Sequence, residues 1–206
     1  MHRRLLLDRL SSISGLVVRQ LKEWGEILSG FETRNKYEIS DVSGLRLYLA
    51  AEEAGSTLVR WFLKALRPFT VAVFTEDGQE VLRVMRPFRF YFHRAEVVGS
   101  QGQSLGVIER RFSILRRVYS VLDRAGVEVY QLFGPILHPW TFQIRKDGVE
   151  CGKITKKWSG LMKEGITDAD NFGVLFPGDE GVESKALFLG AVFLIDFVHF
   201  ENKGNN

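Results

Sequence analysis

Short apolar runs separated by turn residues fill the middle of the chain. Four pairs of such runs flank an x-Gly dipeptide: Lys36–Ser40 with Leu45–Ala51, Phe69–Thr75 with Glu80–Met85, Val118–Leu122 with Val127–Phe133, and Thr141–Arg145 with Val149–Ile154. The dipeptides are Ser43-Gly44, Asp77-Gly78, Ala125-Gly126 and Asp147-Gly148. Because glycine accepts the positive φ that tight hairpin turns require, this pattern predicts a meander of antiparallel hairpins.

The segment Lys185–Phe200 follows a different pattern, since every residue from Ala186 to Ile195 is apolar. A helix that is apolar all round must be buried in protein or in lipid. As a helix, Ala186–Phe200 would span about 22 Å, against a hydrocarbon core of about 30 Å, and Asp196 would be costly inside a bilayer. The pattern therefore favours a core helix over a membrane span. The residues expected to be buried, in protein or in lipid, are Leu187, Leu189, Phe193, Ile195 and Phe197.

The hairpins and the helix together predict a mainly β (α+β) fold. We expect a closed antiparallel β barrel around a central hydrophobic C-terminal helix, because closure removes the sheet edges that invite aggregation. The expected organisation is an N-terminal arm over residues 1–15 and one domain over residues 16–206. A second helical candidate, Ser56–Leu66, is expected to pack on the sheet.

Charge is distributed unevenly along the chain. The net charge is +3. From Gly165 onward the chain has 2 basic and 7 acidic residues. The first 164 residues therefore carry 26 basic and 18 acidic residues. A basic body favours anionic lipid head groups or nucleic acid as partners. The single cysteine, Cys151, excludes an intramolecular disulfide and fits a reducing compartment.

No constellation of residues indicates bond-making chemistry. Gly102–Gly106 (GQSLG) matches the G-x-S-x-G pattern, but a strand rather than a helix is predicted after it, contrary to a nucleophile elbow. The 4 histidines share no metal-like spacing, and there is no second cysteine for a zinc site. We therefore expect that the protein is not an enzyme.

Several long segments, in a fixed order, carry a family likeness. They are Gly30–Ile39 (GFETRNKYEI), Tyr48–Glu53 (YLAAEE), Arg67–Arg89 (RPFTVAVFTEDGQEVLRVMRPFR), Gly152–Pro177 (GKITKKWSGLMKEGITDADNFGVLFP) and Lys185–Glu201 (KALFLGAVFLIDFVHFE). Together these resemble the phospholipid scramblases, from about Leu16 onward, a family similar to the tubby C-terminal domain. The resemblance implies association with the cytoplasmic face of membranes and calcium-stimulated, energy-independent movement of phospholipids in both directions.

The resemblance also implies a calcium segment over Asp168–Asp179. By position its ligands would be Asp168, Asp170, Phe172, Val174, Phe176 and Asp179. Such a loop needs oxygen ligands at alternating positions and glycine at the sixth. The two aspartates, Gly173 and Asp179 fit, but two phenylalanines offer no side-chain oxygen, so any Ca²⁺ binding is expected to be weak. The alternative interpretation is a buried strand in which Phe172, Val174 and Phe176 alternate.

An aromatic–basic stretch stands where relatives are expected to have a cysteine run. It contains Arg86, Arg89, Phe90, Phe92 and Arg94, and aromatic rings beside cations suit contact with lipid head groups. In a strand, half of these aromatics would instead lie in the core. The stretch Gly152–Trp158 (GKITKKW) resembles a nuclear-import segment of some relatives, although three lysines in five residues favour a solvated strand face.

The leading functional hypothesis is a phospholipid scramblase-like protein that acts on anionic phospholipid membranes. Transport by a monomer would need a path through the bilayer, so a homo-oligomer is a second expectation. The alternative is a non-transporting module that binds lipid, such as a phosphoinositide, or protein. A nucleic-acid-associated regulator, suggested by the basic body, is a third and weaker hypothesis.

Overall fold

The structure, a computed structural model, describes residues 6–21, 35–53, 68–88, 92–156 and 171–200. These residues form twelve strands, one α-helix and a short 3₁₀ turn, Asp8–Leu10. The strands are β1 (Gly15–Leu21), β2 (Lys36–Asp41), β3 (Arg46–Glu52), β4 (Phe69–Phe74), β5 (Glu80–Arg86), β6 (Arg94–Gly99), β7 (Ser104–Arg111), β8 (Arg117–Asp123), β9 (Glu128–Gly134), β10 (Thr141–Lys146), β11 (Val149–Lys156) and β12 (Asn171–Leu175). The helix is α1 (Val182–His199).

The strands close into an antiparallel barrel in which each strand pairs with its neighbours in sequence. Strand β12 returns to pair with β1, with Gly15 opposite Leu175 and Val18 opposite Phe172. The predicted closed antiparallel barrel is therefore confirmed. Gly44, Gly78, Gly126 and Gly148 have φ values of 90°, 79°, 80° and 81°, which confirms the four hairpin turns and explains why each needs glycine.

Helix α1 runs through the barrel and forms its core. Every residue from Lys185 to Phe197 is buried, as expected for a helix that is apolar all round. Aromatic pairs from different strands surround it: Tyr37–Phe193, Phe69–Phe197 and Tyr130–Phe188, with ring centroids 5.1, 4.1 and 5.1 Å apart. The one helical glycine of the buried segment, Gly190, lies against Val97, Ile108 and Val84, so it marks where the helix approaches the sheet most closely.

The residues before β1 are attached to the helix. Leu10 is fully buried, and Lys185 Nζ donates hydrogen bonds of 2.9 Å to each of the carbonyl oxygens of Leu10, Ser11 and Ile13. One ammonium thereby satisfies three carbonyl oxygens. It holds this segment across the end of the barrel at which the helix begins. The boundary placed at residue 15 between arm and domain stays a prediction, with β1 beginning at Gly15.

Two strands and one helix boundary differ from the sequence-based assignment. Strand β1 was not predicted, because no x-Gly turn marks it as half of a tight hairpin. Strand β6 was missed although the turn that joins it to β7 contains Gln101-Gly102, with a φ of 80° at the glycine. Strand β12 matches the alternative interpretation of the calcium segment. Helix α1 starts three residues before Lys185, while the helical candidate Ser56–Leu66 lies outside the described residues.

Candidate membrane-contact and calcium sites

The five helix positions predicted to be buried all lie in the barrel core. Leu189, Phe193 and Ile195 are fully buried, and Leu187 and Phe197 are 2% exposed. Burial comes from the surrounding strands, so these side chains contact protein. Within the described residues, none of the helices has both the length and the apolarity needed to span a bilayer.

The charged residue in the helix has a buried partner. Lys156 Nζ, at the end of β11, lies 3.1 Å from Asp196 Oδ1, and the Tyr37 hydroxyl donates to Asp196 Oδ2 at 3.2 Å. The ammonium also stands over the Phe172 and Phe200 rings, 5.1 and 4.7 Å from their centroids. Since a buried charge needs a partner to be tolerated, this pair explains how Asp196 fits an otherwise apolar core.

Arg86, predicted to contact lipid, is buried inside the barrel wall. It is 3% exposed, its guanidinium lies 5.9 Å from the centroid of the Phe69 ring, and its NH2 atom donates to His93 Nδ1 at 2.6 Å. A side chain with so little exposure does not reach a membrane surface in this conformation. The lipid-contact prediction is therefore corrected at Arg86, whose strand turns the side chain inward.

The imidazole beside Arg86 is held neutral. Burial, with the charges of Arg86 and Arg110 adding to it, lowers the pKa of His93 to about 4. Because arginine has no acceptor atom, the guanidinium donates the hydrogen bond and Nδ1 of the neutral ring accepts it. This pair links the end of β5 to the start of β6.

Phe92 and Arg94 are the members of the aromatic–basic stretch that reach the surface. Phe92 is 46% exposed and has a φ of 53°, a left-handed conformation that is uncommon for an aromatic residue. Arg94 lies 3.6 Å from Glu109, so its charge is partly compensated. Arg89 and Phe90 lie outside the described residues, and their contact with lipid stays a prediction.

The calcium ligand set is divided by the fold. Phe172 and Val174 belong to β12, which pairs with β1 on one side and β11 on the other, and both side chains are buried. Phe176 is also buried, with its ring 6.1 Å from Phe188. A calcium loop curls so that its oxygens converge on one point, whereas an extended strand spaces alternate residues apart along one face, and here that face is buried in the core. Asn171–Leu175, in the middle of the proposed calcium segment, is thus a strand, in agreement with the alternative interpretation.

The two ends of that segment remain as candidates for cation binding. Asp179 is exposed and has a φ of 57°, in the turn between β12 and α1. Asp168 and Asp170 lie outside the described residues. Among the residues that the structure does describe, no group of three or more histidine, cysteine, aspartate or glutamate side chains is arranged to hold a metal ion.

The basic segment Gly152–Trp158 is not one solvated face. Lys153 is partly exposed, but Lys156 is only 8% exposed and is bound to Asp196. Lys157 and Trp158 lie outside the described residues. At Lys156, therefore, the lysine belongs to the core network and is not available to a partner.

A second aromatic–basic segment was missed by the sequence analysis. Arg110–Arg117 reads RRFSILRR, and its central side chains Phe112, Ile114 and Leu115 are 79%, 86% and 75% exposed. The signal was present in the sequence as two arginine pairs around the tetrapeptide Phe-Ser-Ile-Leu.

The barrel has a counterpart among solved structures, and the closed barrel around a helix defines a tubby-like fold. The X-ray structure of an Arabidopsis thaliana protein superposes with a TM-score of 0.50, covering 92% of this chain and 94% of the other at 12% identity. An identity this low establishes the fold alone.

Sequence comparison places the chain more narrowly. Residues 1–202 match the Scramblase family, and the chain belongs to that family. It is 35% identical to human phospholipid scramblase 1 over 97% of this chain and 67% of the relative. It is 35% identical to bovine phospholipid scramblase 2 (95% and 71%) and 30% identical to human phospholipid scramblase family member 5 (95% and 77%). The chain thus spans about two thirds of the length of human phospholipid scramblase 1.

Proposed function

We propose that this protein promotes ATP-independent, bidirectional movement of phospholipids between the two leaflets of a membrane. The observation that carries the proposal is the family match over residues 1–202, together with relatives named as phospholipid scramblases at 30–36% identity. We propose that it acts without bond-making chemistry, at the cytoplasmic face of a membrane and as an oligomer, since one barrel filled by its own helix offers lipid no internal route.

Calcium stimulation is part of the same proposal. The carboxylates that would bind Ca²⁺ are Asp168, Asp170 and Asp179, because hard oxygen ligands suit this ion and the phenylalanines between them supply none.

A second candidate function is a non-transporting module that binds phospholipid or protein. It is favoured by one observation: the helix that could have entered a bilayer is enclosed by the strands, with Lys185–Phe197 buried. Such a module would bind vesicles without exchanging lipid between their leaflets.

A dithionite assay separates the two functions. Purified protein is reconstituted into vesicles containing a fluorescent phospholipid, and dithionite quenches only the outer leaflet. Transport predicts that the inner-leaflet lipid also becomes quenched, without ATP and faster with calcium. Vesicle binding with the inner leaflet still protected would contradict transport and support the binding module.

The calcium dependence is tested with paired variants. Asp168→Asn/Asp170→Asn and Asp179→Asn remove charge, and asparagine tolerates the left-handed backbone at position 179. Both should reduce the calcium stimulation and leave the calcium-free rate unchanged. Glu150→Gln, an exposed residue on β11, is the matched control. Equal stimulation in all three variants would rule out these carboxylates as the ligands.

A further inference from the structure

The two ends of the barrel differ in the side chains they expose. One end carries the tight turns, among them 42–45, 124–127 and 147–148; we call it the turn end. The other, here the loop end, carries the connections 112–116 and 135–140 and the residues beside 89–91. Of the large apolar side chains exposed in the described residues, three lie at the turn end (Leu45, Val127, Val149) and seven at the loop end (Phe88, Phe92, Phe112, Ile114, Leu115, Ile136, Leu137).

The two loops that carry most of these side chains are held together. The Arg117 guanidinium donates to the carbonyl oxygens of Pro139 at 2.6 Å and of Pro135 and His138 at 3.4 Å. It also lies 4.6 Å from the centroid of the Phe142 ring. Three carbonyls of 135–140 are thereby fixed to the first residue of β8, directly after loop 112–116. The exposed side chains of 135–140 therefore project from a backbone that these hydrogen bonds hold in place.

The connection between β5 and β6, which contains Phe92, belongs to the same surface as loops 112–116 and 135–140. Phe92 and Phe112 line one shallow cavity of about 400 Å³, together with Arg110, Arg111, Glu109 and Glu128. The exposed apolar side chains of the three connections are therefore neighbours at the loop end. An exposed apolar surface of this kind, framed by polar groups, is a mark of an interaction site.

The charge around the exposed apolar side chains is mainly positive, although Glu109 and Glu128 line the same cavity. Arg110–Arg117 contains four arginines and no acidic residue, and 135–140 (PILHPW) contains no acidic residue. Arg111 is ion-paired with Glu128 at 2.8 Å, but Arg117 binds carbonyls and Arg116 is exposed, 5.3 Å from the centroid of the Phe133 ring. Exposed apolar side chains beside the exposed Arg116 guanidinium match a surface that is apolar within and negatively charged at its face.

We propose that the loop end docks on an anionic phospholipid bilayer, with Ile114, Leu115, Ile136 and Leu137 inserted at the boundary between head groups and acyl chains. Burial of these side chains would supply the apolar attraction, and Arg116 would pair with a lipid phosphate. The barrel then stands end-on, with the C-terminal end of α1 toward the membrane and the turn end away from it. This inference rests on the membrane association in the proposed function, but not on lipid transport.

Vesicle binding by the full chain tests the surface. The probe is flotation with phosphatidylcholine vesicles that contain phosphatidylserine, compared with phosphatidylcholine alone. Ile114→Ser/Leu115→Ser should weaken binding at least about tenfold, because each substitution removes the transfer of one large apolar side chain. The matched control is Val127→Ser/Val149→Ser, which removes two exposed apolar side chains from the turn end and should bind as the parent does. Arg116→Gln should weaken binding and reduce its salt sensitivity.

The orientation is tested with one fluorescent label. Cys151 is exposed at the turn end, so an environment-sensitive maleimide on the natural cysteine reports that end and should not change its spectrum on vesicles. In Cys151→Ser/Leu137→Cys the label moves to the loop end, where a blue shift and quenching by brominated acyl chains are expected. Circular dichroism of each variant verifies the fold.

Every outcome decides the proposal. A blue shift at position 151, unchanged binding of Ile114→Ser/Leu115→Ser, or no binding to either vesicle would overturn it. Self-association that the same variants abolish, without vesicle binding, would assign the surface to a second copy of the chain and would also overturn it. Docking through the loop end without lipid exchange would leave this inference standing while defeating the proposed transport.

Discussion

Lys156 and Asp196 form an ion pair of 3.1 Å with side chains only 9% and 8% exposed. The lysine ends a strand of the barrel wall and the aspartate lies on the central helix, so the pair fixes the rotation of the helix within the barrel. Its third member is Tyr37 on β2. A network that joins the helix to two separate strands specifies one packing arrangement, because a rotated helix would leave a buried carboxylate without a partner.

Removing one charge of this pair should destabilise the protein strongly. Asp196→Asn is expected to cost about 3–5 kcal/mol of unfolding free energy, since it leaves the Lys156 ammonium buried without its counter-charge. Tyr37→Phe, which removes one hydrogen bond, should cost about 1 kcal/mol. Urea unfolding measures both. The double variant Lys156→Met/Asp196→Leu should be close to the parent in stability; a double variant as unstable as Asp196→Asn would refute the charge explanation.

A methyl group at Gly190 should overfill the core. A Cβ at this position would lie 2.5 Å from Val97 Cγ2, so Gly190→Ala is expected to cost about 1–3 kcal/mol, although the same change stabilises an exposed helix by up to about 1 kcal/mol. Gly178→Ala, where a Cβ would meet nothing within 4 Å, is the control. Thermal unfolding of the two variants compares them, and a Gly190→Ala variant as stable as the control would show that the interface can relax.

Acid should weaken the link between β5 and β6. The pKa of His93 is about 4 in the folded protein, lowered by burial and by Arg86 and Arg110, against about 6.5 in an unfolded chain. Between these values the unfolded state binds more protons, so stability falls as the pH is lowered from about 6.5 to 4. The difference in melting temperature between the parent and His93→Gln should shrink across this window. His138→Gln, exposed on loop 135–140, controls for histidine loss.

The attachment of residues 10–13 should depend on Lys185. Lys185→Met removes the donor to three carbonyl oxygens and is expected to cost about 1–3 kcal/mol, the penalty for leaving such groups unsatisfied. Hydrogen exchange should accelerate at residues 8–14 more than in strands β7–β9. Lys146→Met, at the exposed end of β10, is the matched control. Uniformly faster exchange would indicate global destabilisation in place of local release.

The sequence predicted the hairpins and the core helix well because each has a local signal. Gly44, Gly78, Gly126 and Gly148 require positive φ, and the apolar run of the helix leaves no polar face for solvent. The calcium segment was ambiguous because the same alternation of Phe172, Val174 and Phe176 suits ligand spacing and a strand. Only the pairing of β12 with β1, distant in sequence, decides between them.

The candidate membrane surface was predicted only in part. Arg86 was included because it precedes an aromatic stretch, yet its position in the barrel wall turns it inward, where it contacts Phe69 and His93. Arg110–Arg117 was overlooked because exposure at a loop depends on which hairpin ends meet. That juxtaposition is a property of barrel closure, which no window of local sequence contains.

Closure of the barrel by β1 and β12 has a consequence for synthesis. Asn171–Phe200 supplies both the last strand and the helix that fills the interior, so the strands made earlier have neither a completed sheet nor a core to bury. Contacts between residues so far apart in sequence form slowly. The nascent chain is thus expected to expose apolar strands until this final segment has emerged, which makes the domain a substrate for chaperones during translation and its folding a late, cooperative event.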